Sequence, residues 1–348
     1  MMRNIFWLFA LCLLTACTVP LATATPTVNV QPTSDAASAL PWANLQLSGR
    51  LVLIGPRSDG ANLVLFDLAS GDTALIYHAT QNALLGSALV PRGGKQILLT
   101  YAPPPPDQNQ MTYTSLYLLP IDGSGNPQPI IQNQNPNEAH YNPTWSPDGK
   151  TIYASHFVRG SGDQNTSGDF SIDRVTLDGH VQTILKNALW PAVSPDGSRI
   201  SYLTVNPANN QNELYMADIT GANPVPVLSP GAYPAVDDHF YTPDGKSIIF
   251  SAVNQVPAPT PTLFDRIFGI DVVSAHNVPS DWYSVSLESG KVIRLTHIED
   301  TGMYAALSPD GKHVAFISQT GLYVMNLDGS DLTQLSSLIA SGSVDWIP

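Results

Sequence analysis

Two groups of residues in this chain have types and spacing that could do chemistry. In Asp163-Gln164-Asn165-Thr166-Ser167-Gly168-Asp169, oxygen donors stand at alternate positions, Asp163, Asn165, Ser167 and Asp169, with a glycine sixth. That is the spacing by which a loop wraps a hard cation such as calcium. Position twelve is Arg174 where a calcium loop has a bidentate Glu, so a polar turn between two strands competes with a structural calcium site. The second group is the eight histidines, which stand singly. No His-Glu-x-x-His, cysteine cluster, Gly-x-Ser-x-Gly elbow or paired-carboxylate signature accompanies them. No catalytic residue and no cofactor beyond that calcium is expected.

The elements that position these groups are set by a repeated phrase. Trp145-Ser146-Pro147-Asp148-Gly149-Lys150 returns as Ser194-Pro195-Asp196-Gly197, Thr242-Pro243-Asp244-Gly245-Lys246 and Ser308-Pro309-Asp310-Gly311-Lys312, each followed by an apolar strand. Proline presets φ for a turn and Asp-Gly tolerates positive φ, so the phrase predicts a hairpin turn between two strands of a repeating unit. Asp148 to Asp196 and Asp196 to Asp244 each span 48 residues; Asp244 to Asp310 spans 66, because an insertion at about 254–280 interrupts the fifth unit. In the third unit the expected strands are 142–146, 151–156, 171–177 and 181–185, and four antiparallel strands make a propeller blade.

A degenerate copy, Leu89-Val90-Pro91-Arg92-Gly93-Gly94-Lys95, marks the second unit. The first has strands at 50–54, 62–68 and 73–77 and no innermost strand before them. Ser343-Val344-Asp345-Trp346-Ile347-Pro348 matches the stretch Asn142 to Pro147 and supplies the missing strand. The expected fold is therefore all-β, a six-bladed β-propeller whose C-terminal strand completes the first blade and closes the ring.

The Trp-Ser-Pro-Asp-Gly-Lys phrase, with a later Leu-Tyr and Asp-Gly turn, resembles the TolB-type propeller repeat over about residues 47–348. The α/β domain that precedes the propeller in TolB has no counterpart in this sequence, where a tether stands instead. The resemblance implies a periplasmic or surface propeller that binds other proteins or peptides at one face or at the central channel. An envelope protein or peptide is thus the expected partner, and a monomer the expected state. Propeller lyases acting on pectic sugars use channel histidines and a metal. A carbohydrate-binding or metal-assisted polysaccharide lyase or hydrolase, using His140, His239 and His276, is therefore the alternative.

Counting five residues back from each turn proline reaches Ser343, Gly86, Asn142, Trp190, Asp238 and Tyr304 at the start of the innermost strands. These should ring one channel mouth, with His140, Tyr141, Asp237 and His239 beside them. Aromatic faces with a few carboxylates and imidazoles suit recognition of a peptide or sugar; packing between blades explains the same residues as well. The insertion carries Leu263, Phe264, Ile267 and Phe268 at helix-like spacing, which fits either a partner-docking loop or a clasp on the chain's own propeller.

The N-terminus gives an address. Arg3 precedes an apolar run, Ile5 to Leu14, too short to span a membrane as a helix, and Leu14-Thr15-Ala16-Cys17 resembles the bacterial lipoprotein cleavage box. A signal peptide over 1–16, a lipidated Cys17 and a flexible, Thr-, Ala-, Pro- and Ser-rich tether over 17–46 are expected, on an exported chain facing the periplasm or cell exterior. With Cys12 removed in the signal, no thiol remains for a disulfide. The net charge of −13 makes nucleic acid an unsuitable partner and leaves membrane association to the lipid anchor.

Overall fold

The computed structural model describes residues 40–348 apart from 106, 108–112, 134–136, 161–167, 207–210 and 255–277. Six four-stranded antiparallel sheets account for nearly all of the regular structure, with one short 3-10 turn at Ala43–Leu45. In blade three the strands are Glu138–Trp145, Thr151–Val158, Asp169–Thr176 and Val181–Lys186, from innermost to outermost. The innermost strands touch one another in cyclic order, blade one to blade six and back to blade one. The ring is closed as expected: Val344–Ile347 pairs with Arg50–Arg57, placing Trp346 opposite Leu51 and Val344 opposite Leu53. At this seam Gly342 has φ 83, and a Cβ there would lie 1.9 Å from the Gly86 carbonyl oxygen, so only glycine fits.

Second strands read as unbroken apolar runs, Ile97-Leu98-Leu99 or Ile248-Ile249-Phe250, because each lies between two neighbouring blades and is buried on both faces. The resulting layers join blades rather than fill a single centre: Leu51, Leu53 and Phe66 of blade one pack with Ile317, Leu322 and Val324 of blade six. A fully buried Leu, Ile or Phe contributes about 2 kcal/mol in area terms, so these interfaces hold the ring. Packing begins at Leu40, within the expected tether. Trp42 is buried against Phe66 and donates its indole N–H to the Leu68 carbonyl, so an apolar anchor replaces flexible chain at that end.

The repeated turn has a specific mechanism. Gly149, Gly197, Gly245 and Gly311 have φ of 67, 71, 66 and 71°, and each N–H closes the turn on the carbonyl of the Ser or Thr before the proline. The aspartates do not adopt positive φ. Each instead accepts the Ser or Thr hydroxyl three residues before the glycine, at 2.6 Å for Ser146, Ser194 and Ser308 and 2.7 Å for Thr242, and takes the backbone N–H two residues on. The repeated carboxylates are thus spent on turn geometry.

The other end of the innermost strand is irregular. In blades two to five the register with the second strand slips by one residue, at Gly86, at Asn142-Pro143, at Trp190-Pro191 and at Asp237-Asp238. These are β-bulges, which bend a strand and re-aim its side chains. Asn142 and Trp190 have φ of 42 and 58°, a conformation rarely adopted by a bulky residue.

Candidate functional site at the channel mouth

Four of the residues counted back from the turn proline coincide with the bulges, and five of the six line one cavity. Asn142, Trp190, Asp238, Tyr304 and Ser343 surround a space of about 150 Å³ in the channel mouth, and Gly86 lies beneath the seam at Gly342. Trp190 of blade four and Tyr304 of blade six face each other with ring centroids 5.9 Å apart and planes 32° apart, flanking Asp238 of blade five. Among the described residues the wall holds one carboxylate, Asp238, and one imidazole, His239, and neither lysine nor arginine. Burial holds His239 down to about 4, so it is neutral at physiological pH, and its Nδ1–H donates to the Asp237 carbonyl at 3.3 Å. Burial and then the neighbouring Asp237 and Asp238 keep the Tyr304 hydroxyl protonated, a sign of negative potential at that point.

Part of the ring also fastens the blades. Asp238 Oδ2 accepts the Ala305 N–H at 2.8 Å, the Ser343 hydroxyl oxygen accepts the Ala88 N–H at 2.8 Å, and the Trp190 N–H donates to Ser155 Oγ at 2.7 Å. Deeper in the same strand Asp345 takes the Val90 N–H at 2.6 Å, and burial pushes its carboxyl up to about 6. These staples hold the cavity walls in place.

Three residues expected at the mouth are not among those that line the cavity. Tyr141 is buried with Ala139 and Phe157 in blade three, and Asp237 is fully buried. His140 belongs to a polar cluster in the upper part of blade three that the sequence did not suggest. Its ring stacks on His156 with centroids 4.4 Å apart and planes 7° apart. His156 Nδ1 lies 2.9 Å from Asp173 Oδ2 and its Nε2 2.9 Å from Glu138 Oε1. Burial disfavours charge on His156, but Asp173 and Glu138 outweigh it and raise its pKa; for His140 burial prevails and lowers it. Burial likewise opposes charge on Asp173, yet the His140 ring at 3.6 Å, the His156 ring at 2.9 Å and the Thr183 hydroxyl hold its carboxyl well below the usual range. One donor atom from each of Glu138, His140 and His156 lies within 4.8 Å of the others, close enough for a cation. The parallel rings aim their in-plane lone pairs side by side rather than at a point, and both His156 nitrogens already face carboxylates. A proton on His156 fits this geometry better than a metal does.

Of the calcium donors, Asp169 opens the third strand of blade three, exposed and opposite Val158. Asp163, Asn165 and Ser167 lie outside the described residues, as do Leu263, Phe264, Ile267 and Phe268 of the insertion, His276 and Cys17. No described helix is long and apolar enough to cross a membrane.

Comparisons with known proteins agree with this architecture. Residues 273–348 match the family model of the dipeptidyl peptidase IV N-terminal region. An uncharacterised protein of Agrobacterium fabrum is 28% identical over 213 residues, 59% of this chain, and the match spans 60% of that protein's length. Among solved structures, TolB from Acinetobacter baumannii superposes with a TM-score of 0.60 at 16% identity, covering 86% of this chain and 67% of its own. A putative TolB from Agrobacterium tumefaciens gives 0.57 at 18%, covering 87% and 100%. An oligogalacturonate lyase in complex with manganese gives 0.53 at 13%, covering 82% and 73%. At these identities the likeness is one of fold: this chain folds as a TolB-like six-bladed β-propeller.

Proposed function

We propose that this chain is a cell-envelope lipoprotein whose propeller captures a protein or peptide at the channel mouth. The observation that carries this reading is the coincidence of bulge and ring. Four blades depart from regular strand pairing at the positions that line the cavity, with a tryptophan held at positive φ among them. Strained backbone and bulges cluster where a side chain must be aimed. A cavity of about 150 Å³ is below the roughly 300 Å³ at which small-molecule sites begin. It suits one inserted side chain or chain end of a larger partner.

The lyase alternative finds less support. His140 stacks on His156 within blade three, and the described residues lining the cavity include no cation to hold a uronate carboxylate.

Photo-cross-linking tests the proposal. A cross-linking residue at position 142 should form adducts with a discrete envelope protein, while one at the exposed outer position 177 should not; equal adducts from both would refute it. Deleting residues 256–279 should weaken that capture if the insertion docks the partner, and unchanged capture would exclude it from docking. Anchoring is tested separately. Cys17→Ser should abolish incorporation of labelled palmitate and release the chain from membranes, and retained label would rule out Cys17 as the lipidated residue.

A further inference from the structure

We propose that Ser155, buried in blade three, is a positioning residue of the mouth: its hydroxyl holds the backbone of Trp190 in blade four and so sets the cavity wall that meets the partner. This rests on the peptide-capture reading above and adds to the site a residue outside those that line the cavity.

The bond falls where the strand departs from its ladder. In blade four the register passes from Leu189 opposite Leu203 to Ala192 opposite Ser201, which leaves Trp190 and Pro191 outside it. Trp190 has a φ of 58°, and its N–H donates to Ser155 Oγ at 2.7 Å across the junction of blades three and four. A bulky residue rarely holds that conformation unless its surroundings impose it. Holding the N–H holds the plane of the preceding peptide, and φ, measured from that plane, sets where the indole lies in the wall.

The fold does not require a hydroxyl at this place. Six residues on from the turn glycine, where blade three has Ser155, blade four has Leu203 and blade six has Ile317, both fully buried. Ser155 is fully buried too, paired with Tyr141 on one side and Ile172 on the other. A hydroxyl in such surroundings costs free energy unless it is bonded, and its side-chain bond runs out of its own sheet to the mouth. His156, next along the strand, takes the opposite face and meets Asp173 and Glu138. One strand thus serves the fold with one side chain and the site with its neighbour.

The test uses peptides selected from a random display library on the wild-type full chain. A second readout is the Trp190 indole resonance of the labelled chain, identified by its loss in Trp190→Phe. Ser155→Ala should displace that resonance in the free chain and weaken the peptides about 5-fold, the scale of one hydrogen bond. Ser155→Thr, which keeps the oxygen, should hold affinity within about 2-fold of wild type. In a Trp190→Ala background Ser155→Ala should cost no further affinity, whereas a general loosening of blade three would weaken binding equally in both backgrounds. Ser155→Cys fills the same space with a weaker acceptor and repeats the test if the alanine variant does not fold. Unchanged affinity in Ser155→Ala, an unmoved Trp190 resonance, or the same loss repeated in the Trp190→Ala background would each overturn the proposal. Undiminished binding by Trp190→Ala would sink the capture reading and this proposal with it. A loss in Trp190→Ala that Ser155→Ala does not share would sink this proposal alone.

Discussion

Blade three and the channel mouth both bring carboxylates, imidazoles and aromatic rings together, yet they do different things. In the upper part of blade three the groups face one another: His156 sits between Asp173 and Glu138, and His140 lies flat against it. At the mouth, Trp190, Asp238 and Tyr304 line a cavity of about 150 Å³. Side chains that line a cavity are placed to meet a ligand; those that only satisfy one another hold the fold. Of the histidines that residue type nominates, His140 falls on the structural side of that line and His239 lines the cavity.

The largest expected effect tests the structural side. Asp173→Asn removes the charge that His156 is paired with and should destabilise the domain by about 3 kcal/mol, the scale for breaking a buried pair, as measured by urea unfolding. Binding at the mouth should be unaffected below the melting transition. The converse change is Trp190→Ala, which removes a ring from the cavity wall and should cost about 1.4 kcal/mol of peptide capture for a 10-fold loss, while lowering stability less than Asp173→Asn does. A variant that lost both properties would erase the distinction between the two regions.

The pH dependence sharpens the comparison further. Asp173 has a depressed folded pKa, so its stabilisation is present above the unfolded value near 4 and is lost as pH falls toward the folded one. His156 has a raised folded pKa, so its stabilisation is complete below about 6.5 and is lost as pH rises through the folded value. The stability difference between wild type and Asp173→Asn should therefore be largest near pH 5 to 6 and shrink on either side. A difference that does not vary with pH would mean that the cluster is not ionised as described. The smallest effect belongs to the turns, where Asp310→Ala should lower the melting temperature by no more than about 2 °C, because its bonds to Ser308 and Lys312 are solvent-exposed for the most part.

Much of the fold was legible because turn chemistry repeats. Pro-Asp-Gly counts the blades, and Trp346 in the place of Trp145 reveals the seam. The mouth ring was legible for the same reason, since counting back along one strand does not depend on how that strand pairs. The blade-three cluster was not. Counted outward from the turn, Trp145 opposes Ile152 and His140 would oppose Phe157; the bulge at Asn142-Pro143 moves it by one residue onto His156. A single inserted residue thus turned a histidine expected at the channel into part of a buried pair, and nothing in local composition announces that insertion. The coupling of Glu138, His156 and Asp173 across three strands needed the same register before it could be seen.

The most direct measurement selects peptides from a random display library on the immobilised full chain and compares their affinity for wild type, Asp173→Asn and Trp190→Ala, each held well below its own melting temperature. The channel-mouth account predicts at least a 10-fold loss for Trp190→Ala and a change within about 2-fold for Asp173→Asn. Full affinity in Trp190→Ala, or a loss confined to Asp173→Asn, would contradict it.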